Sequence, residues 1–189
     1  MRGILGGTFD PPHIAHLVAA EAAYRQLGLD RVTFLPAGAP WQKSGRRVSA
    51  PEHRWAMTRR AVAGVEYFDA DDREVRRPGW TYTIDTLEEL AERVVLVLGA
   101  DAARGLPTWH RAEDVLARVE VAVVPRPGVA REEVDAVLGA RASWLDVPPL
   151  EVSGTRLRSM VAAGRSVRFL VPDPVWRYID DHGLYREGR

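Results

Sequence analysis

The run Val94-Val95-Leu96-Val97-Leu98 constrains the fold more than any other stretch. Its uninterrupted apolar residues do not alternate between a core and a wet face. A strand of that kind is buried on both faces, as inner strands are in a parallel sheet covered by helices. The run is far too short to cross a bilayer as a helix. Val119-Glu120-Val121-Ala122-Val123-Val124 and Val32-Thr33-Phe34-Leu35-Pro36 are of the same type. Ile4-Leu5 reads as the end of a first strand, and Val65–Asp69 and Trp144–Val147 as further short ones.

Helical patterns lie between these runs. Leu17, Val18, Ala22 and Leu27 recur at helical spacing, and Gly28 is a good stop. Ser49 with Glu52 forms a capping-box signature for a helix carrying Trp55, Met57 and Val62. Further helices are expected over Tyr82–Glu92, around Trp109 and Val115-Leu116, over Arg131–Leu138 and Ser153–Ala163, and from Asp173-Pro174 through Ile179. The charged stretch Asp71–Arg77 fits no single element. Alternation along the whole chain indicates an α/β fold: one open, mostly parallel sheet with helices on both faces. A length of 189 residues supports one sizeable core. A single domain over 1–189 is therefore expected, its C-terminal helical part starting at about 153. In such sheets ligands bind at the carboxyl ends of strands. Gly6-Gly7-Thr8, Gly99-Ala100-Asp101 and Pro125-Arg126 stand at such ends.

Composition narrows the function classes. The 26 basic and 26 acidic residues cancel, so no global field attracts nucleic acid or an anionic membrane. Cysteine is absent, which excludes disulfides, thiolate metal sites and a cysteine nucleophile. Met1-Arg2-Gly3 runs into the first strand without room for a signal peptide. A cytoplasmic protein is expected.

Gly6-Gly7-Thr8-Phe9-Asp10-Pro11-Pro12-His13-Ile14-Ala15-His16 combines a glycine pair, a helix start and two imidazoles three residues apart. The glycines let backbone N–H groups approach a ligand, and a helix N-terminus favours phosphate. The same residues also suit a proline-started turn, or a metal site with Asp10 beside His13 and His16. A second phosphate candidate is Ser153-Gly154-Thr155-Arg156-Leu157-Arg158, with Ser153 as helix cap and Arg158 one turn on. An ordinary capped basic helix has the same appearance. Gly38 with Lys43-Ser44 lacks the second glycine of a Walker loop, since Gln42 stands there. Trp109 suits either packing or stacking on a heterocycle, and Asp101 either a helix cap or a ribose contact.

The two motifs together resemble the paired signature of the nucleotidyltransferase superfamily, adenylyltransferase branch. The chain is similar to bacterial nicotinate-mononucleotide adenylyltransferases, also through Pro40–Lys43, Thr81–Leu87, Gly99–Asp101, Pro107–Trp109, Arg126–Gly128 and Gly183–Tyr185. The resemblance implies a Rossmann-like fold. It also implies a reaction of NAD biosynthesis, in which ATP and nicotinate mononucleotide give nicotinate adenine dinucleotide and pyrophosphate. Mg²⁺ would be carried mainly by substrate phosphates, with no protein metal ligand. His13, His16 and Arg158 would be the catalytic residues. Gly6, Gly7, Thr8, Phe9, Lys43, Gly99, Asp101, Ser153 and Thr155 would bind ATP; Thr83, Trp109 and His110 would bind the mononucleotide. One departure is Ala15, where the family usually has glycine; His110 stands where an aromatic is common. Competing readings are a preference for nicotinamide mononucleotide or another phosphate acceptor, and a non-catalytic nucleotide-binding sensor. Retention of His16 and Arg158 argues against the sensor. Neither a nucleic acid nor a membrane partner is implied, and nothing in the sequence excludes a homo-oligomer.

Overall fold

The continuous apolar runs do become inner strands. In the computed structural model, which describes residues 1–40 and 48–186, β1 (Arg2–Gly7), β2 (Arg31–Pro36), β3 (Phe68–Ala70), β4 (Val94–Gly99), β5 (Val119–Val124) and β6 (Ala142–Trp144) form one sheet. Its order is β3-β2-β1-β4-β5-β6, and every named pairing is parallel. This is the doubly wound order, whose switch point falls between β1 and β4.

Side chains of β4 divide between the faces as a doubly buried strand requires. Val94, Leu96 and Leu98 join one core with Ile4, Val121 and Val123. Val95 and Val97 join the other with Leu5, Phe34 and Ala122. The first core is covered by α4 (Thr83–Leu90), α5 (Ala100–Arg104), α6 (Ala112–Arg118) and α7 (Arg131–Leu138). The second takes the alanine face of α1 (Ile14–Gln26). A third cluster joins Met57 and Ala61 of α2 (Pro51–Val62) to α8 (Gly154–Ala162) and α9 (Asp173–Asp181). Between β3 and α4, part of the charged stretch forms the short helix α3 (Arg73–Arg76).

Four boundaries differ from expectation. Val65–Tyr67 form a turn after Gly64, with Phe68 N–H donating to the Val65 carbonyl, so β3 starts only at Phe68. The Tyr67 ring stacks on Tyr24, and its carbonyl accepts from Val32 N–H at 2.9 Å just before the strand begins. β6 lies earlier than Trp144–Val147, because the Gln26 amide takes both backbone groups of Asp146 and stops the ladder there. Ser49 does not cap α2: Ala50 is the N-cap and Pro51 the first helical residue. Helix α4 covers only Thr83–Leu90, closed by Ala91 in the left-handed conformation.

Candidate active site

The glycine pair ends β1 at the switch point. Beyond it Phe9 holds a left-handed backbone (φ 49°), although its side chain is buried. Non-glycine residues in that region mark turns held by their surroundings. The Phe9 and His16 rings form a T-shaped pair, with centroids 4.9 Å apart. Asp10 follows at 5% exposure. Tyr185 Oη donates to Asp10 Oδ1 at 2.7 Å, and Ser49 N–H donates to Oδ2 at 3.1 Å. Arg158 Nη1 donates to the Asp10 carbonyl at 2.7 Å. Asp10 thus ties the turn to α8 and the C-terminus, which leaves little of it for a metal. Among the described residues no group of three or more His, Cys, Asp or Glu side chains is placed to hold one.

His13 is the N-cap of α1 and His16 sits in its first turn, their rings stacked at 3.7 Å. His13 N–H donates to His16 Nδ1 at 3.1 Å. A neutral His16 therefore carries its proton on Nε2, as a donor. Burial pushes the His13 pKa down to about 4, and the positive charge of Arg126 adds to the effect. At neutral pH His13 is an uncharged ring. Its buried Nδ1 has no hydrogen-bond partner among the described residues. The helix start offers fewer amides to an anion than its sequence implies. His13 N–H serves His16, and Ile14 N–H donates to the Leu170 carbonyl at 3.0 Å.

The second motif lies against the first despite 148 residues of separation. Ser153 caps α8, its side chain accepting from Arg156 N–H at 3.3 Å. Gly154 allows the approach, because a Cβ there would stand 2.8 Å from the Asp10 carbonyl oxygen. Arg158 Nη2 reaches Thr155 Oγ1 at 3.4 Å, so the cation is braced on both sides. Ser153 and Thr155 are exposed beside it.

Two cavities flank this turn. One is lined by Gly6, Ala15, His16, Gly99, Asp101 and Arg126, among others, at the ends of β1, β4 and β5. At Gly99 a Cβ would come within 2.7 Å of Asp101 Oδ1 and 3.0 Å of Arg126 Nε, so the two side chains close over the glycine. The other is lined by Gly7, Thr8, Tyr82, Thr83, Trp109 and His110, again with Gly6 and His16. Trp109 serves both readings, since it packs on the first core and also borders this cavity. Thr83 opens α4, and the His110 and Tyr82 rings lie 4.4 Å apart. Lys43 lies outside the described residues. Gly6 and His16 border both cavities, at their shared rim.

Two residues of the site, Arg54 and Glu74, carried no sequence signal of their own. Arg54, 1% exposed, donates to the carbonyls of Ser49, Thr8, Ala37 and Gly38, fixing the loops after β1 and β2. Its position inside an amphipathic helix looks like a surface cation. Arg126 follows β5 and faces His13 and Asp101. Glu74 lies buried on the wall of the second cavity.

The sheet order and a site at its switch point, with two cavities meeting at a phosphate-type turn, define a nucleotide-binding α/β protein. A family model described as cytidylyltransferase-like matches residues 4–160. Two curated relatives carry the description "Probable nicotinate-nucleotide adenylyltransferase". That of Pseudomonas syringae pv. tomato is 45% identical, with 97% of this chain and 93% of the relative covered. That of Roseiflexus sp. is 44% identical, with 97% of each covered. The nicotinic acid mononucleotide adenylyltransferase of Plasmodium falciparum, solved with NaAD, shares the fold. Its TM-score is 0.80 at 16% identity, over 97% of this chain and 96% of that one. The chain belongs to the nicotinate-nucleotide adenylyltransferase family, within the cytidylyltransferase-like group.

Proposed function

We propose that this chain transfers the adenylyl group of ATP to nicotinate mononucleotide, releasing pyrophosphate, as a step of NAD biosynthesis. The observation that carries it is the position of His16 at the rim shared by both cavities. The adenosine of ATP occupies the cavity of Gly99 and Asp101, where the Asp101 carboxylate accepts from ribose hydroxyls. The mononucleotide occupies the cavity of Thr83, Trp109 and His110, its pyridine ring against the indole. Gly7, Thr8 and Phe9 shape the phosphate turn between them.

A phosphate oxygen of the mononucleotide attacks the α-phosphorus of ATP, and the bond to the α–β bridging oxygen breaks. Such transfers rest on alignment and on stabilising charge across phosphate oxygens. His16 donates from Nε2 to the α-phosphate as its charge grows. Neutral His13 adds a ring contact in the same turn. Ser153, Thr155 and the braced Arg158 hold the β- and γ-phosphates. Mg²⁺ fits as a passenger of the substrate phosphates, because the residues here are cations and imidazoles rather than a cage of oxygens. It neutralises phosphate charge when bound. No helix of the described residues is long and apolar enough to cross a membrane. We assign the reaction to the cytoplasm.

The test is pyrophosphate release by purified protein with ATP, Mg²⁺ and each pyridine mononucleotide in turn. Release is expected to be fastest with the nicotinate form. Equal or faster turnover with the nicotinamide form overturns the assigned acceptor, and no release with either overturns the activity.

A further inference from the structure

The acceptor cavity has one wall that the proposed reaction leaves without a role. Glu74 is 7% exposed and lines this cavity together with Thr81, Thr83 and Thr86. Its Oε1 accepts from Thr86 Oγ1 at 2.7 Å, and Arg77 Nη1 donates to that same hydroxyl at 3.1 Å. Arg77 in turn donates to Glu89 at 2.6 Å, so a polar chain runs from the surface to the cavity wall. Thr86 therefore serves one carboxyl oxygen and leaves Oε2 as the place for a proton. Among the described residues the cavity lining contains no lysine or arginine. An ionised carboxylate on this wall would meet a carboxylated ligand with no lysine or arginine of the described lining between them.

We propose that Glu74 is a specificity-determining residue of the acceptor cavity: as a neutral acid it donates to the carboxylate of a nicotinate-type ring, and as an anion it disfavours that ring relative to the amide. This rests on the mononucleotide binding in this cavity. Burial pushes the Glu74 pKa up to about 7, against the Thr86 hydrogen bond and the charge of Arg77, which favour the anion. Asp71 and Glu89 oppose ionisation further. Arg73 on the same helix pairs with Asp71 and Glu89. Of the elements packed on α3, β2 has no titratable side chain between Val32 and Pro36. α2 turns its buried Arg54 to backbone carbonyls. A carboxylic acid kept neutral to donate a hydrogen bond is an established device in active sites.

The test is the ratio of kcat/KM for nicotinate to that for nicotinamide mononucleotide across pH. Phosphate titration and the ATP site are common to both substrates and cancel in the ratio. With the wild type, the ratio is expected to fall about tenfold or more between about pH 6 and about pH 8.5, as Glu74 ionises. Glu74→Gln, which keeps an N–H donor without a charge, is expected to hold the ratio flat. His16 and His110 also border the cavity, so this variant is what assigns the slope to Glu74. Thr86→Val removes the hydrogen bond to the anion and is expected to move the midpoint to higher pH. A flat wild-type ratio overturns the proposal, as does an undiminished slope in Glu74→Gln. Absence of turnover with both substrates instead overturns the reading of the cavity, and this proposal with it.

Discussion

His16 is held from three directions: by the His13 amide on Nδ1, by the stacked His13 ring and by the Phe9 ring in a T-shaped contact. A ring so fixed does not need to reorganise when charge develops beside it, which is the condition for strong electrostatic stabilisation. His16→Ala is expected to lower kcat by about a hundredfold or more, with a much smaller change in either KM. Near-full kcat in a pyrophosphate-release assay would remove His16 from the mechanism. Ala15, beside it, occupies the second position of α1, where nothing in the backbone demands glycine. Ala15 lines the cavity of Gly99 and Asp101, so the departure from the family pattern is a matter of cavity shape rather than of chain conformation.

At the scale of elements, the site depends on α8 lying against the turn after β1. Gly154 sets that spacing, and Arg158 and Thr155 follow from it. Gly154→Ala would put a methyl 2.8 Å from a backbone oxygen, which neither partner can avoid by rotating a side chain. The helix start must retreat. We expect kcat/KM for ATP to fall by about tenfold or more. The thermal midpoint should move by only a few degrees, because alanine favours the helix while the contact strains it. Unchanged ATP kinetics would show that the two elements need no such approach. Elements of this kind were legible because their signals are local. Continuous apolar runs named β4 and β5, and Ser153 named the start of α8. The boundaries that escaped depend on partners distant in sequence: Gln26 stops β6, and Asp10 and Arg54 take the backbone of Ser49. The same holds for Arg54 and Glu74. A lone charged residue in a sequence gives no sign of its burial, whereas glycine and histidine motifs at a strand end do.

Across the whole molecule, the two buried titratable groups flanking the turn act on stability with opposite sign. His13 binds its proton near 6.5 when unfolded and at about 4 when folded, so its contribution is lost as pH falls through that window. Glu74 is the reverse case, from 4.5 unfolded to about 7 folded; its contribution is present at low pH and lost as pH rises. Each shift corresponds to roughly 3 kcal/mol, and the windows overlap between about pH 4.5 and about pH 6.5. There the two slopes nearly cancel, and surface carboxylates with lowered pKa are already ionised in both states. The wild type should therefore change little in unfolding free energy across this range. His13→Gln removes one slope, and that variant should gain stability on acidification from about pH 6.5 to about pH 5, as Glu74 alone then requires. Glu74→Gln should lose stability over the same interval. Denaturant unfolding at both pH values measures all three proteins. Parallel slopes in the two variants would mean that these groups do not govern the acid response, and that ion pairs elsewhere, such as Asp71 with Arg73, do so instead.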